Sequence, residues 1–279
     1  MKAFKRMSFP KTSALQSPAP YPGRATVRVL MYHMVGPFPQ PSLHRTSFCH
    51  VRRFQAQMDW LSRGPYKVIS LDQAYRGLFG AEPLPSGAVV LTFDDGYENF
   101  ERWAWPELQR CGFTATVFPV TGRIGKAANW LDESFEPAML MDGASLRRLS
   151  RHGIGIGSHT RSHARLTQLT ASQISHELRD SKSELEDLIG LPVSDFCYPY
   201  GSYDQTVLEL TAEAGYRLAL TCLRGAANSA RNAYEIPRKA ISYDDNFMTY
   251  LWRLHAKHAG KPRAFSPLAM HASTRFGES

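Results

Sequence analysis

The segment Val89-Val90-Leu91-Thr92-Phe93-Asp94-Asp95-Gly96 is a mostly apolar run that ends in two adjacent carboxylates and a glycine. A short run of this kind, bounded by turn residues, predicts a strand that is buried on both faces, as in a parallel sheet. In parallel α/β folds, ligands bind at the carboxyl ends of such strands. The segment therefore predicts a parallel sheet and places polar chemistry at the end of one strand.

The alternation of strand and helix continues on both sides of this segment. The clearest helix is 171–189, with Thr170 as its N-cap and Gly190 and Pro192 after its end. The predicted strands cover residues 27–32, 67–69, 88–93, 115–119, 154–158, 195–198, 218–221 and 236–241, and the predicted helices cover 51–62, 71–79, 97–110, 145–152, 171–189, 204–214 and 246–258. Strand, helix and strand in series predict an α/β fold, and roughly six to eight such units favour an irregular parallel β/α barrel of seven strands. Residues 121–143 fit no element and are predicted to cross one end of the barrel.

Length and composition indicate one large globular domain. The 279 residues are 43% hydrophobic and 21% charged, and no apolar run approaches the roughly 18 residues of a membrane span. We expect a disordered, basic, Pro- and Ser-rich lead over residues 1–24, the barrel over 25–258 and a basic tail over 259–279. Because the first residues lack the apolar stretch of a secretory signal, we expect a cytoplasmic protein; export by another route or a misassigned start are the alternatives.

Charge and cysteine content narrow the class of protein. Residues 1–24 carry five basic and no acidic side chains, and residues 252–279 carry five basic and one acidic, which leaves −1 of the net +8 for the remainder. This argues against the basic folded surface of a nucleic-acid-binding protein, while the tails could touch a membrane surface weakly. The four cysteines form no Cys-x-x-Cys pair, so we expect free thiols rather than a disulfide framework or a zinc knuckle.

Asp94 and Asp95 follow the predicted strand 88–93 directly. Adjacent carboxylates repel each other, so the pair is reasonable if a cation neutralises one and the other serves as a base. Alternatively, one of them caps the helix predicted from Tyr97, which is a common use of aspartate. This segment alone leaves both interpretations open.

A second polar segment, Gly157-Ser158-His159-Thr160-Arg161-Ser162-His163, follows the predicted strand 154–158. His159 and His163 are four residues apart, so on one helical turn both imidazoles face the same side and can bind one metal. Together with an aspartate from 94–95 they predict a His-His-Asp metal site with positions left for water. This set suits zinc, and also cobalt, nickel, manganese or iron.

A third segment, Phe196-Cys197-Tyr198-Pro199-Tyr200-Gly201, follows another predicted strand. Pro199 and Gly201 around Tyr200 predict a tight turn, whose backbone N–H could point inward and stabilise an oxyanion. An ordinary surface turn is the alternative.

Taken together, the three segments resemble the polysaccharide deacetylase family, the nodulation-protein-B-like carbohydrate esterases. The resemblance runs from about residue 27 to residue 243 and is carried by Thr-Phe-Asp-Asp-Gly at 92–96 and Ser-His-Thr-Arg-Ser-His at 158–163. It implies a distorted β/α barrel, a divalent metal (zinc first, with cobalt or nickel as alternatives) and hydrolysis of an acetyl group from a sugar. By position, it implies that Asp94 is the catalytic base, that Asp95, His159 and His163 are the metal ligands, and that the backbone N–H of Tyr200 stabilises the oxyanion.

The chain departs from the main branch of this family at two positions. That branch has an arginine at the start of the third segment, where it holds the catalytic aspartate, and here the position is Cys197. We predict Arg238, in the last predicted strand, as the substitute, because its guanidinium could reach Asp94 at the same barrel end; a solvated arginine is the alternative. The main branch also has a late Leu-x-His whose histidine is the general acid, and the late part of this chain has no convincing equivalent.

An early segment, Val29-Leu30-Met31-Tyr32-His33, is instead an apolar strand that ends in histidine. Because the first and last strands of a closed barrel are neighbours, a circular permutation would leave this histidine in the same place. The segment resembles the permuted branch that deacetylates the exopolysaccharide poly-N-acetylglucosamine, where a Leu-x-Tyr-His near the start supplies the acid. The resemblance thus implies His33 as general acid, with a packing histidine as the alternative.

The predicted function is metal-dependent removal of N-acetyl groups from N-acetylglucosamine-type poly- or oligosaccharides. Alternatives on the same site are an O-acetyl esterase, a peptidoglycan deacetylase and a deformylase of a lipid-linked amino sugar; an alternative of another class is an inactive carbohydrate-binding protein. Sugar rings stack on aromatic side chains, so a sugar platform is predicted among Trp130, Asp132, Tyr97, Trp103 and Tyr203, with core packing as an equal alternative for each aromatic ring.

Overall fold

The computed structural model describes residues 19–21, 23–131 and 138–255. Residues 1–18 and 256–279, which hold most of the predicted lead and tail, lie outside the described residues, as does Asp132, so the predicted domain limits remain predictions. The strands are β1 (Arg28–Tyr32), β2 (Met34–Gly36), β3 (Phe48–His50), β4 (Lys67–Val68), β5 (Ala88–Asp95), β6 (Thr116–Pro119), β7 (Gly155–Ile156), β8 (Asp195–Cys197), β9 (Leu218–Arg224) and β10 (Ile236–Ala240). The α-helices are α1 (Val51–Arg63), α2 (Leu71–Phe79), α3 (Trp105–Cys111), α4 (Gly143–Arg151), α5 (Ala171–Ile189), α6 (Gln205–Glu213) and α7 (Phe247–His255).

Seven parallel strands form a sheet that is nearly closed into a barrel, as predicted. Their order is β7-β6-β5-β1-β10-β9-β8, and β4 pairs with the beginning of β5. A single parallel bridge between Ser158 and Phe196 joins the two edges, with hydrogen bonds from Ser158 N to Asp195 O and from Cys197 N to Ser158 O, both 2.9 Å. Since β1 pairs with both β5 and β10, the first strand of the chain is the neighbour of the last.

The two faces of each strand enter different apolar clusters, which is why the strands are apolar throughout. On β5, Val89, Leu91 and Phe93 belong to the large cluster shared with α1, α3, α4, α5 and α6. Val90 belongs to a second cluster together with side chains of β9, β10 and α2. Thr92 and Asp94 continue the row of Val90 at a spacing of two residues, so this row leads along the strand to the carboxylate at its end.

The helices begin where short polar residues satisfy their first N–H groups. Thr170 and Gln173 form a reciprocal capping box on α5, and Asp204 caps α6 by accepting from Val207 N. The helix predicted over 97–110 is wrong in its first half, where residues 100–104 form a π-helical turn before α3. Pro106 explains this, because it has no N–H and its ring clashes with the carbonyl four residues earlier.

The predicted excursion, in its described parts, packs over the carboxyl end of the barrel. Isolated bridges pair Tyr97 with Leu140 and Ala127 with Met139. Tyr97 and Leu140 belong to a third apolar cluster together with Met34 and Val120. Beneath it, β2 and β3 form a small parallel sheet that the sequence analysis does not predict. Among the described helices, none combines the length and the apolarity that crossing a membrane requires.

Candidate active site

The barrel brings all seven predicted site residues to the carboxyl end of its strands. Asp94 and Asp95 end β5, His159 and His163 lie in the loop after β7, Tyr200 in the turn after β8, Arg238 in β10, and His33 directly after β1. The N-cap of the next helical segment is Asn99 and not one of the two aspartates, so the capping alternative is wrong.

Asp95, His159 and His163 form a buried cluster of three potential metal ligands. Oδ1 of Asp95 lies 3.3 Å from Nε2 of His159 and 3.2 Å from Nε2 of His163. This oxygen is buried and makes no hydrogen bond of normal geometry within the described part of the chain. A buried, unsatisfied carboxylate oxygen facing two imidazole nitrogens fits a divalent cation, which would accept one lone pair from each.

The far side of each imidazole is also occupied. Nδ1 of His159 lies 2.7 Å from the carbonyl oxygen of Cys197, and a carbonyl can only accept, so Nδ1 carries a proton and Nε2 is the nitrogen that a metal could bind. Nδ1 of His163 lies 3.1 Å from the hydroxyl of Tyr200. Burial lowers the pKa of His163 below its ordinary value, which favours the neutral imidazole that metals bind. Burial raises the pKa of Asp95, but the two histidines more than reverse this and hold it well below its ordinary range.

The loop that carries the histidines is not helical, so the predicted helical turn is wrong. Thr160 and His163 both adopt left-handed backbone conformations, with φ of 68° and 62°. Oγ1 of Thr160 accepts a 3.0 Å hydrogen bond from His163 N, which links the two residues. The rings converge nonetheless, with centroids 5.1 Å apart.

Asp95 also leaves the regular strand conformation. Its φ is 70°, and the following Gly96 has φ 80°. Adjacent residues of a strand point to opposite faces, and the change at Asp95 allows both carboxylates to reach the site. A Cβ atom at Gly96 would lie 2.9 Å from Cα of Pro119, so this turn needs glycine.

Asp94 is held by Arg238, as the sequence analysis expects for the missing motif arginine. Nη1 and Nη2 of Arg238 each donate a 2.7 Å hydrogen bond to one oxygen of Asp94. Nη2 also lies 3.0 Å from Sγ of Cys197, so the small side chain on β8 borders the guanidinium. Burial raises the pKa of Asp94, but the charge and hydrogen bonds of Arg238 keep it below its ordinary value. Asp94 is therefore an ionised carboxylate at neutral pH.

His33 and Tyr200 lie on either side of this arrangement. Nε2 of His33 is 4.0 Å from Oδ2 of Asp94, and its side chain is 18% exposed. Nδ1 of His33 is buried and has no hydrogen-bond partner among the described residues. Tyr200 lies in the 3-10 turn Pro199–Gly201 with φ 58° and is 42% exposed.

Of the aromatic residues considered for a sugar platform, Trp130 contacts the site. Its indole stacks on the imidazole of His163 with ring centroids 4.2 Å apart, and its Nε1 donates to the hydroxyl of Tyr97. Tyr97 itself is buried, and Trp103 and Tyr203 pack against the large apolar cluster. For these three, the core alternative describes the structure.

One supporting residue was missed. Glu177 on α5 accepts hydrogen bonds from the N–H groups of Arg161 and Ser162 and from the hydroxyl of Ser162, at 2.6 to 2.9 Å. It thereby anchors the middle of the histidine loop to a helix. The available signal was Ser181, a polar residue in the stripe that Leu178 and Leu185 otherwise make apolar. It marks the side of α5 that lies against polar groups of this loop, because the hydroxyl of Ser181 pairs with that of Ser158 at 2.8 Å.

Comparison with known proteins shows which family the chain is similar to. The family model for polysaccharide deacetylases matches residues 81–219, which include both aspartates, both histidines and the Tyr200 turn. A Bacillus subtilis (strain 168) protein, YxkH, whose name assigns it provisionally to the polysaccharide deacetylases, is 28% identical over 218 residues, 78% of this chain and 72% of that protein.

Two further relatives carry more specific names. The poly-β-1,6-N-acetyl-D-glucosamine N-deacetylase of Escherichia coli (strain K12) is 26% identical over 220 residues, and the match covers 67% of this chain but 32% of that protein. The solved structure of the Streptococcus pyogenes deacetylase PplD in complex with acetate superimposes with a TM-score of 0.71 at 25% identity, over 84% of this chain and 100% of that one. The chain thus belongs to the polysaccharide deacetylase family of hydrolytic enzymes.

Proposed function

We propose that this protein removes N-acetyl groups from N-acetylglucosamine poly- or oligosaccharides, with Asp94 as base and His33 as acid. The observation that carries the proposal is the placement of Asp94, fixed by Arg238 at 2.7 Å and facing His33 at 4.0 Å, directly beside the Asp95, His159 and His163 cluster. The similarity to a poly-N-acetylglucosamine deacetylase supports the substrate class.

Asp95, His159 and His163 would hold a divalent cation, with zinc the best fit to one carboxylate and two imidazoles and cobalt or nickel as alternatives. When bound, such a cation supplies a Lewis acid that polarises the acetyl carbonyl and lowers the pKa of water.

The residues of the chain supply the proton transfers. Oδ2 of Asp94 accepts from Arg238 and from the thiol of Cys197, whereas Oδ1 accepts from Arg238 and keeps a second acceptor position. Asp94 can therefore take the proton of a water that attacks the acetyl carbonyl. The backbone N–H of Tyr200 donates to the oxyanion that forms. Protonated His33 then gives its proton to the nitrogen as the carbon–nitrogen bond breaks, since an amine leaves poorly unless it is protonated. Acetate and a sugar amine result.

The first test is release of acetate from N-acetylglucosamine oligomers by the purified protein. It is run with chelator, and with zinc, cobalt or nickel added back, for the wild type and for Asp94→Asn and His33→Ala. We expect release that needs metal and is lost in both variants, while both variants still bind one metal per chain.

Other outcomes would change the proposal in defined ways. Loss in Asp94→Asn alone would keep the enzyme and remove His33 as the acid. Bound metal without release would overturn the N-acetyl substrate and lead to O-acetyl esters and formylated lipid-linked amino sugars. Absence of bound metal after metal addition would favour an inactive carbohydrate-binding protein.

A further inference from the structure

A cavity of about 420 Å³ lies beside the loop that carries the proposed metal ligands His159 and His163. It is lined by Gly122, Arg123, Lys126, Asn129, Arg161 and Ser162. Ser162 directly precedes His163, and Asn129 directly precedes Trp130, whose ring stacks on that of His163. The cavity is therefore bordered on two separate segments by a residue that directly precedes a residue of the site. Its volume is within the range of about 300–1,000 Å³ that small-ligand pockets occupy.

The lining of this cavity is cationic. Three of its six residues are arginine or lysine and none is acidic. Arg161 is paired with Glu184, at 2.9 Å between Nε and Oε1. Arg123 and Lys126 have no carboxylate within 4.0 Å in the described ranges 19–131 (without 22) and 138–255. Two charges of the same sign thus face the cavity without an ion-pair partner from the described chain.

The backbone on both sides of the cavity is fixed by hydrogen bonds. Gly122 N donates to Arg161 O at 2.9 Å, and Leu140 N donates to Lys126 O at 3.0 Å. A Cβ atom at Gly122 would lie 2.6 Å from Arg161 O, so the two segments approach as closely as they do only because this residue is glycine. The backbone that carries these cationic side chains is therefore held in place on both sides of the cavity.

We propose that this cavity binds an anionic group, a phosphate or a carboxylate, on the sugar unit next to the one that is deacetylated. The inference rests on the proposed function, because it takes the glycan to extend from the site into the cavity. Guanidinium and ammonium groups form charge-assisted hydrogen bonds with phosphate and carboxylate, and Asn129 and Ser162 offer polar atoms to sugar hydroxyls. The same charges repel the ammonium group of a neighbouring unit that has already lost its acetyl group.

The experiment uses four oligosaccharides in which N-acetylglucosamine alternates with a second sugar. The second sugar is neutral, 6-phosphorylated, 6-carboxylated or 2-amino, so that the phosphate and carboxylate arms separate the two sources of negative charge. Acetate release gives kcat/KM, and titration calorimetry with the same four probes gives Kd independently of turnover. The variants are Arg123→Gln/Lys126→Gln and a matched control, Arg63→Gln/Lys67→Gln, which removes one exposed arginine and one exposed lysine from the end of α1 and from β4.

We expect one or both anionic probes to bind about five- to tenfold more tightly than the neutral probe, as two exposed ion pairs would allow, and the amino probe to bind most weakly. The preference should vanish in Arg123→Gln/Lys126→Gln, which should keep kcat/KM on the neutral probe within about twofold, and should persist in the control. Equal binding of the four probes, or a preference that survives in Arg123→Gln/Lys126→Gln, would overturn the inference. If no probe releases acetate while the charge preference in Kd is present and sensitive to these two residues, the proposed function fails and the anion site stands.

Discussion

Arg238 and Asp94 form a bidentate salt bridge inside the barrel although 144 residues separate them in the chain. Arg238 is 1% exposed and Asp94 is 3% exposed. A buried pair of this kind gains little over apolar residues, but the loss of one partner leaves an uncompensated buried charge. The pair therefore determines both the position of the proposed base and the stability of the barrel around it.

The first prediction concerns this pair. Arg238→Ala should lower the free energy of unfolding by about 3–5 kcal/mol, because Asp94 remains buried without its partner. Acetate release should fall, while metal content stays at the wild-type level because Asp95, His159 and His163 are unchanged. Denaturant unfolding, metal analysis and turnover check the three effects.

A second variant keeps that prediction testable if Arg238→Ala folds poorly. Cys197→Arg/Arg238→Ala returns the guanidinium to β8, next to the space that it now fills from β10. We expect part of the lost stability and turnover to return. A double variant no better than Arg238→Ala would show that the strand of origin matters and not only the presence of an arginine.

The second prediction concerns the hydroxyl of Tyr200, which contacts Nδ1 of His163 at 3.1 Å. Tyr200→Phe removes this contact and leaves the backbone N–H in place. Since outer contacts of this kind are worth about 10–100-fold in metal affinity, we expect metal to bind at least about tenfold more weakly. Turnover should recover at saturating metal. A deficit that persists at saturation would mean that the hydroxyl itself takes part in the reaction.

The third prediction concerns the anchor of the histidine loop. Glu177→Ala removes the acceptor of three hydrogen bonds to Arg161 and Ser162 and should destabilise the fold by about 2 kcal/mol. Metal affinity should fall as well, because His163 follows the loop. Asp187→Ala, at an exposed position on the same helix, is the control and should change neither quantity. Equal behaviour of the two variants would contradict the anchoring role.

The fourth prediction concerns Lys239, which is buried and donates to the carbonyl oxygen of Arg253. Burial and the nearby charge of Arg28 lower its pKa from 10.5 to about 8. Between these values the unfolded chain binds more protons than the folded protein, so stability rises with pH. We therefore expect the wild type to gain stability relative to Lys239→Met, by up to about 3 kcal/mol of unfolding free energy, as the pH rises from 7.5 to 10.5. A difference that is constant over this range would contradict the lowered pKa.

The barrel and the convergence of its polar segments could be predicted because both depend on local patterns. The apolar runs of β5 and β1 lead directly into polar residues, Asp94 with Asp95 and His33. The carboxyl ends of all strands in a parallel barrel lie at the same end of the barrel, so these residues are expected to lie close together. The strands of the barrel could therefore be predicted without knowledge of long-range contacts.

The features that could not be predicted depend on contacts between distant segments or on short elements. Thr160 and His163 adopt left-handed conformations that the tertiary contacts of the loop must stabilise, so a helical spacing rule predicted the convergence of the two imidazoles but gave the wrong local structure. Glu177 looks like any charged residue on the polar side of an amphipathic helix until its loop partners are known. The strands β2 and β3 have three residues each, which is too few for a periodic signal.

The contact between Cys197 and Arg238 constrains how such a sequence can evolve. If the ancestral arginine stood on β8, as in the family's main branch, its replacement by cysteine alone would leave the buried negative charge of Asp94 without a partner. Gain of Arg238 alone would place two guanidinium groups in a space that holds one. On that history the two positions would have changed together or through a short-lived intermediate, and a search that requires the arginine on β8 would overlook this chain.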